Sequence, residues 1–203
     1  MIEIAGLCKA FGKKQVLDGV DLVIEDNQTM AIIGPSGCGK SVLLKHLVGL
    51  LEPDKGRVIV DGRIVHELDE KELYLHRENF GMLFQGAALF ESLTVGENVG
   101  LWLREHTRTD DKDIASRSKQ FLELVGLREV EEKRPSELSG GMKKRVGLAR
   151  AIINEPRYIL YYEPTTGLDP IMSDMINDLI LKVRRELKNT AIVVTHDMPS
   201  VYK

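Results

Sequence analysis

The chain has 203 residues, 43% of them hydrophobic and 29% charged, with 28 Lys and Arg against 31 Asp and Glu for a net charge of -3. That length suits one domain carrying at most a subdomain and excludes a multidomain machine. The near-neutral balance lacks the basic footprint of a nucleic-acid binder, so nucleic acid is not an expected partner. Two cysteines, Cys8 and Cys38, make no disulfide framework and fit no zinc spacing.

No apolar run approaches the roughly 20 residues that a spanning helix needs. The opening Met1-Ile2-Glu3 has no basic stretch ahead of an apolar one. The expectation is a chain that is neither exported nor membrane-spanning on its own.

In chain order, residues 20–24, 30–33 and 57–60 are short apolar runs punctuated by Gly, Asp and Asn, and predict strands. Gly34-Pro35-Ser36-Gly37-Cys38-Gly39-Lys40-Ser41 matches G-x-x-x-x-G-K-[ST]. It follows the run at 30–33 and precedes the helical pattern of Val42, Leu43, Leu44, Leu47 and Val48. The glycines let successive N–H groups and a helix N-terminus wrap a phosphate. Lys40 supplies a cation to the β/γ-phosphates and Ser41 a hydroxyl to Mg2+, so the segment predicts ATP or GTP binding.

Residues 86–152 are helical in pattern and more charged, with 107–113 the most loop-like stretch, and predict a helical insertion into an α/β core. Within them, Leu138-Ser139-Gly140-Gly141-Met142 opens a helix. Ser139 serves as N-cap, and the N–H groups of Gly140 and Gly141 form a second anion site. Residues 158–162 and 191–194 are apolar without alternation, as strands buried on both faces of a parallel sheet would be. Between them, Met172, Met175, Ile176, Leu179, Ile180, Val183 and Leu187 follow helical spacing after Pro170 at N1. The architecture expected is one mixed sheet flanked by helices, with a right-handed strand-helix-strand crossover.

Taken in order, the phosphate loop, Gln85 in Leu83-Phe84-Gln85, the segment at 138–142, Glu163 after a buried strand, Gly167-Leu168-Asp169 and His196 resemble an ABC transporter ATPase subunit. Residues 84–95 and a signature ending in Met142 resemble the Mla-type subunits, which serve phospholipid transporters associated with mammalian-cell-entry proteins. The resemblance implies an α/β P-loop NTPase of the ABC type. Its β-rich core would span about residues 1–85 and 153–203, with a helical subdomain inserted at about 86–152.

It further implies ATP and Mg2+ as cofactors and a homodimer, each nucleotide lying between the phosphate loop of one copy and the signature of the other. An integral membrane permease, contacted through residues 89–94, and a mammalian-cell-entry-type lipid-binding protein are the other implied partners. The implied location is the cytoplasmic face of the bacterial inner membrane, and the implied work is ATP hydrolysis driving lipid transport. Residue by residue, Phe11 stacks on adenine, and Gln85 touches Mg2+ and the attacking water. Glu163 polarises that water, His196 bonds the γ-phosphate, and Asp169 crosses the dimer interface.

Two departures stand out. Ile159-Leu160-Tyr161-Tyr162-Glu163 places Tyr162 where the family has its magnesium-orienting Asp. A neutral phenol does not replace a carboxylate beside Mg2+. The expectation is nucleotide binding less dependent on Mg2+ and reduced hydrolysis, with a hydrolysis-deficient structural or regulatory protein as the alternative. The chain also stops seven residues after His196, where the family continues through further elements, so a C-terminally incomplete domain is expected.

Overall fold

In the computed structural model, which describes residues 1–198, the strand-rich start of the chain is an antiparallel sheet. β1 (Ile2–Phe11) turns at Gly12-Lys13 into β2 (Lys14–Ile24). β4 (Lys55–Val60) pairs with the other edge of β1, and β5 (Arg63–Ile64) follows, giving the order β2-β1-β4-β5. A second sheet is wholly parallel: β3 (Thr29–Ile33), β8 (Thr190–Thr195), β7 (Tyr158–Tyr162) and β6 (Phe80–Leu83), in that spatial order.

The single mixed sheet expected from the sequence is therefore corrected to two sheets, one wholly antiparallel and one wholly parallel. The reason is connectivity: strands joined by tight turns pair antiparallel, whereas parallel neighbours need a crossover of a dozen or more residues. Two strands read as central, β7 and β8, do lie inside the parallel sheet.

The helices fall where the chain needs crossovers. α1 (Lys40–Leu47) follows β3, and α6 (Pro170–Leu187) joins β7 to β8, with Pro170 at its start and the Asp169 carboxylate accepting from Met172 N–H at 3.0 Å. α2 (Glu70–Glu78) and β6 went unread in the sequence. The signal for α2 was the capping box of Asp69 and Glu72, which the structure forms.

In the middle of the chain, α3 (Val95–His106), α4 (Asp111–Leu124) and α5 (Gly140–Ile152) pack on one another. The stretch read as loop is loop only as far as Asp110, which caps α4 by accepting from Asp113 N–H at 2.9 Å. None of the described helices is long and apolar enough to cross a membrane.

Both faces of the parallel sheet are buried, and β7 shows why its sequence does not alternate. Tyr158 and Leu160 face a core shared with Ile2, Ile4, Ile24 and Val58 of the antiparallel sheet and Leu43, Leu44 and Leu47 of α1. Ile159 and Tyr161 face the opposite core, among Val146 and Ile152 of α5 and Ile176 and Ile180 of α6. Truncating any of these residues to Ala costs about 2–5 kcal/mol, depending on how far the site collapses. α5 lies hard against β6 because the contact is built on glycine: a Cβ on Gly81 would collide with the Ala151 carbonyl. That close approach brings α5 up to the loop that follows β6.

Candidate functional site

β3 delivers the chain into the phosphate loop. Gly37 and Gly39 adopt φ of 78° and 102°, which L side chains rarely take, and Gly39 caps α1. A Cβ on Gly39 would also sit 3.0 Å from the Val16 carbonyl, so β2 closes the loop from behind. Lys40, 9% exposed, donates from Nζ to the carbonyls of Gly34 (2.6 Å) and Pro35 (3.0 Å).

The carboxyl ends of β6, β7 and β8 bring Gln85, Glu163 and His196 to the same crevice, the place where open α/β sheets collect ligands. A cleft of about 280 Å³ is lined by the loop residues Pro35, Ser36, Gly37, Gly39, Lys40 and Ser41 together with Gln85, Tyr162, Glu163 and His196. Glu163 is the most constrained of these. It is 7% exposed, its backbone is left-handed at φ 49°, and its N–H donates to Val194 O at 2.8 Å.

One Glu163 carboxylate oxygen accepts from Thr166 Oγ1 at 3.1 Å and lies 2.8 Å from His196 Nδ1. The other is 4.0 Å from Lys40 Nζ. A non-glycine residue in the left-handed region costs about 1–2 kcal/mol. The surrounding bonds hold it there, and the carboxylate is oriented in advance.

The remaining residues singled out by sequence lie elsewhere. Gly34 contributes its carbonyl to Lys40, whereas the Cys38 side chain is exposed. Phe11 stands 49% exposed at the end of β1, with Lys9 Nζ 5.9 Å from its ring centre. Ser139 caps α5, accepting from Met142 N–H at 3.3 Å, with Gly140 and Gly141 opening the helix. Phe11, Ser139, Gly140 and Gly141 do not line the cleft.

Sequence reasoning missed Thr166 and Lys144. Thr166 carries no pattern of its own. Lys144 was hidden in the charged run Lys143-Lys144-Arg145, yet Gly141, Lys144, Leu148 and Ile152 share the buried stripe of α5, and that spacing was the available signal.

The donor set does not fit a Mg2+ held by the protein. Ser41 and Gln85 offer two neutral oxygens in the cleft, and Tyr162 adds a phenol to its lining. One oxygen of the Glu163 carboxylate is engaged by Thr166 and His196, and the other lies 4.0 Å from Lys40 Nζ. Among the described residues no group of three His, Cys, Asp or Glu side chains is placed to hold a metal. Mg2+ sites ordinarily combine one or two carboxylates with substrate phosphates and water.

A glycine-built phosphate loop between a parallel strand and a helix, facing a buried carboxylate and a histidine at the ends of neighbouring strands, defines a P-loop nucleotide-binding protein. More narrowly, the chain belongs to the ABC transporter family, whose model matches residues 17–166. It is 44% identical over 197 residues to the probable ribonucleotide transport ATP-binding protein mkl of Mycobacterium tuberculosis, covering 97% of this chain and 55% of that protein. The chain thus spans about half the length of these mycobacterial relatives.

It is 40% identical over 190 residues to the intermembrane phospholipid transport system ATP-binding protein MlaF of Escherichia coli, covering 94% of this chain and 71% of the relative. The resemblance to Mla-type subunits is thereby supported. Among solved structures, the dimeric structure of a bacterial ABC transporter cassette matches with a TM-score of 0.89 and 34% identity. That match covers 100% of this chain and 90% of the other.

Proposed function

We propose that this chain binds and hydrolyses ATP to power a membrane transporter for phospholipid. It would act as a homodimer docked through a permease at the cytoplasmic face of the bacterial inner membrane. The observation that carries the proposal is the convergence of Lys40, Ser41, Gln85, Glu163 and His196 on one cleft. In this reading the loop N–H groups and the N-terminus of α1 cradle the phosphates. Lys40 exchanges its two loop carbonyls for phosphate oxygens, and Glu163, held by His196 and Thr166, orients and polarises the attacking water. Phe11 packs on the adenine, and Ser139, Gly140 and Gly141 of a second copy close the site.

The division into a core of about residues 1–85 and 153–203 and a helical subdomain of about 86–152 belongs to the same reading. A permease is supported by an open, largely apolar groove of about 500 Å³ between β6 and α3, lined by Phe84, Phe90, Leu101 and Trp102. Phe90 lies within the segment 89–94 expected to make that contact. Phospholipid as substrate rests on the name of the Escherichia coli relative, and a mammalian-cell-entry-type protein as a further partner rests on the sequence resemblance of residues 84–95 and Met142 alone.

The test is steady-state ATPase activity of the chain beside Glu163→Gln, together with co-purification of a membrane permease. Turnover equal to that of the variant, with no permease recovered, would refute the proposal. A second reading, nucleotide binding with little hydrolysis, is favoured by Tyr162 lining the cleft in place of a carboxylate.

A further inference from the structure

Lys144 is 6% exposed, an unusual place for an ammonium group, and burial holds its pKa below the ordinary lysine value while the Glu163 charge opposes that shift. From α5 its Nζ donates to the backbone carbonyl of Gln85 and, at 3.4 Å, to that of Glu163. These carbonyls belong to different loops, one leaving β6 and the other leaving β7. Further along α5, the Arg150 guanidinium donates to the carbonyls of Ala87 (2.7 Å) and Ala88 (2.8 Å).

The backbone that these two cations hold is strained: Ala87, Ala88 and Glu163 all have positive φ, at 61°, 48° and 49°. Such conformations persist only where the surroundings over-determine them. Burying an ammonium is costly unless its protons find acceptors, and here the acceptors are carbonyls next to two side chains of the cleft.

We infer that Lys144 is a positioning residue. It is a strut from α5 that holds the Gln85 and Glu163 backbones together, so that the helix beginning at Ser139 sets the geometry of the water-polarising carboxylate. The inference rests on the hydrolytic role proposed above for Glu163 and Gln85. Arg150 steadies the same loop from its far side, whereas Lys144 bonds to both loops.

The test compares the full chain with Lys144→Met, which keeps the stem and removes the donor, and with Lys144→Arg, which keeps a cation. Two quantities are read: amide hydrogen exchange at Ala87, Glu163 and Thr166, and the split of ATPase kinetics into kcat and KM. Lys144→Met is expected to speed exchange at those three amides but not within α5, and to lower kcat by about 10–100-fold with KM within about twofold. Lys144→Arg should restore both.

Unchanged exchange at the three amides would overturn the inference, as would faster exchange spread evenly through α5 and both cores. If Lys144→Met does not fold, Lys144→Gln, a shorter neutral donor, takes its place and should exchange faster than the native chain at the three amides and turn over more slowly. Equality of Lys144→Gln with the native chain would then overturn the inference. If the native chain turns over no ATP, the hydrolytic proposal fails while the exchange comparison still decides the strut.

Discussion

Tyr162→Asp tests the chemistry of the cleft most directly. Tyr162 ends β7 in register with Val194 of β8, one residue before Glu163, and its partly buried ring packs against the core between the two sheets while lining the cleft. The substitution removes that packing, at a cost of about 1–3 kcal/mol, which a domain of ordinary stability absorbs. In exchange it places a carboxylate in the cleft beside Ser41 and Gln85, which offer only neutral oxygens.

Supporting carboxylates of this kind are worth about 10–100-fold in metal affinity or activity, which corresponds to about 1.4–2.7 kcal/mol of barrier. Steady-state ATPase measurements with Mg2+ titrated, and Glu163→Gln as the blank, should therefore show kcat raised by about 10–100-fold. The midpoint of the Mg2+ titration should move to lower concentration. Equal turnover and an equal Mg2+ midpoint in the two proteins would refute the argument, because another group would then already be doing the work of the missing carboxylate.

Two further outcomes follow from buried polar groups. The Tyr161 hydroxyl is fully buried with no hydrogen-bond partner among the described residues, and burial pushes its pKa well up. Tyr161→Phe should leave stability unchanged or raise it by up to about 1 kcal/mol in denaturant unfolding, and a clear loss would reveal a partner for that hydroxyl. His46 and His76 are buried against the carbonyls of Val42 and Leu47, and burial lowers both below the ordinary value of 6.5. The unfolded chain takes up these protons as pH falls through 6.5 and the folded chain only at lower pH, so stability is full above 6.5 and declines below it. Denaturation midpoints at about pH 7.5 and pH 5.5 should show that loss shrinking in the His46→Gln, His76→Gln double variant. An undiminished loss would place the titration elsewhere.

The phosphate loop was legible because its requirements are local. Gly37 and Gly39 supply left-handed φ, and Lys40 and Ser41 begin the helix, all within eight consecutive positions. The strands β7 and β8 were legible because each is an apolar run buried on both faces, whereas Glu163 and His196 beyond them were legible only through their order with the other motifs. The split into two sheets was not, since the pairing of β1 with β4 joins residues about 50 positions apart through strands that look like any others. Nor was the backbone strain at Ala87, Ala88 and Glu163, which no residue type announces and which is stabilised by cations from α5. How those cations reach their carbonyls depends on the close crossing of α5 over β6 at Gly81. A side chain that acts on substrate must have a particular chemistry at a particular place, and so it leaves a motif. One that acts by holding another segment's backbone needs only a donor of the right length on the right stripe of its helix. In α5 that donor is Lys144, on the stripe of Gly141, Leu148 and Ile152, where the pattern calls for an apolar residue. A charge on a buried stripe is costly unless carbonyls meet it, and this mismatch between period and polarity is the trace that a positioning residue leaves in its sequence.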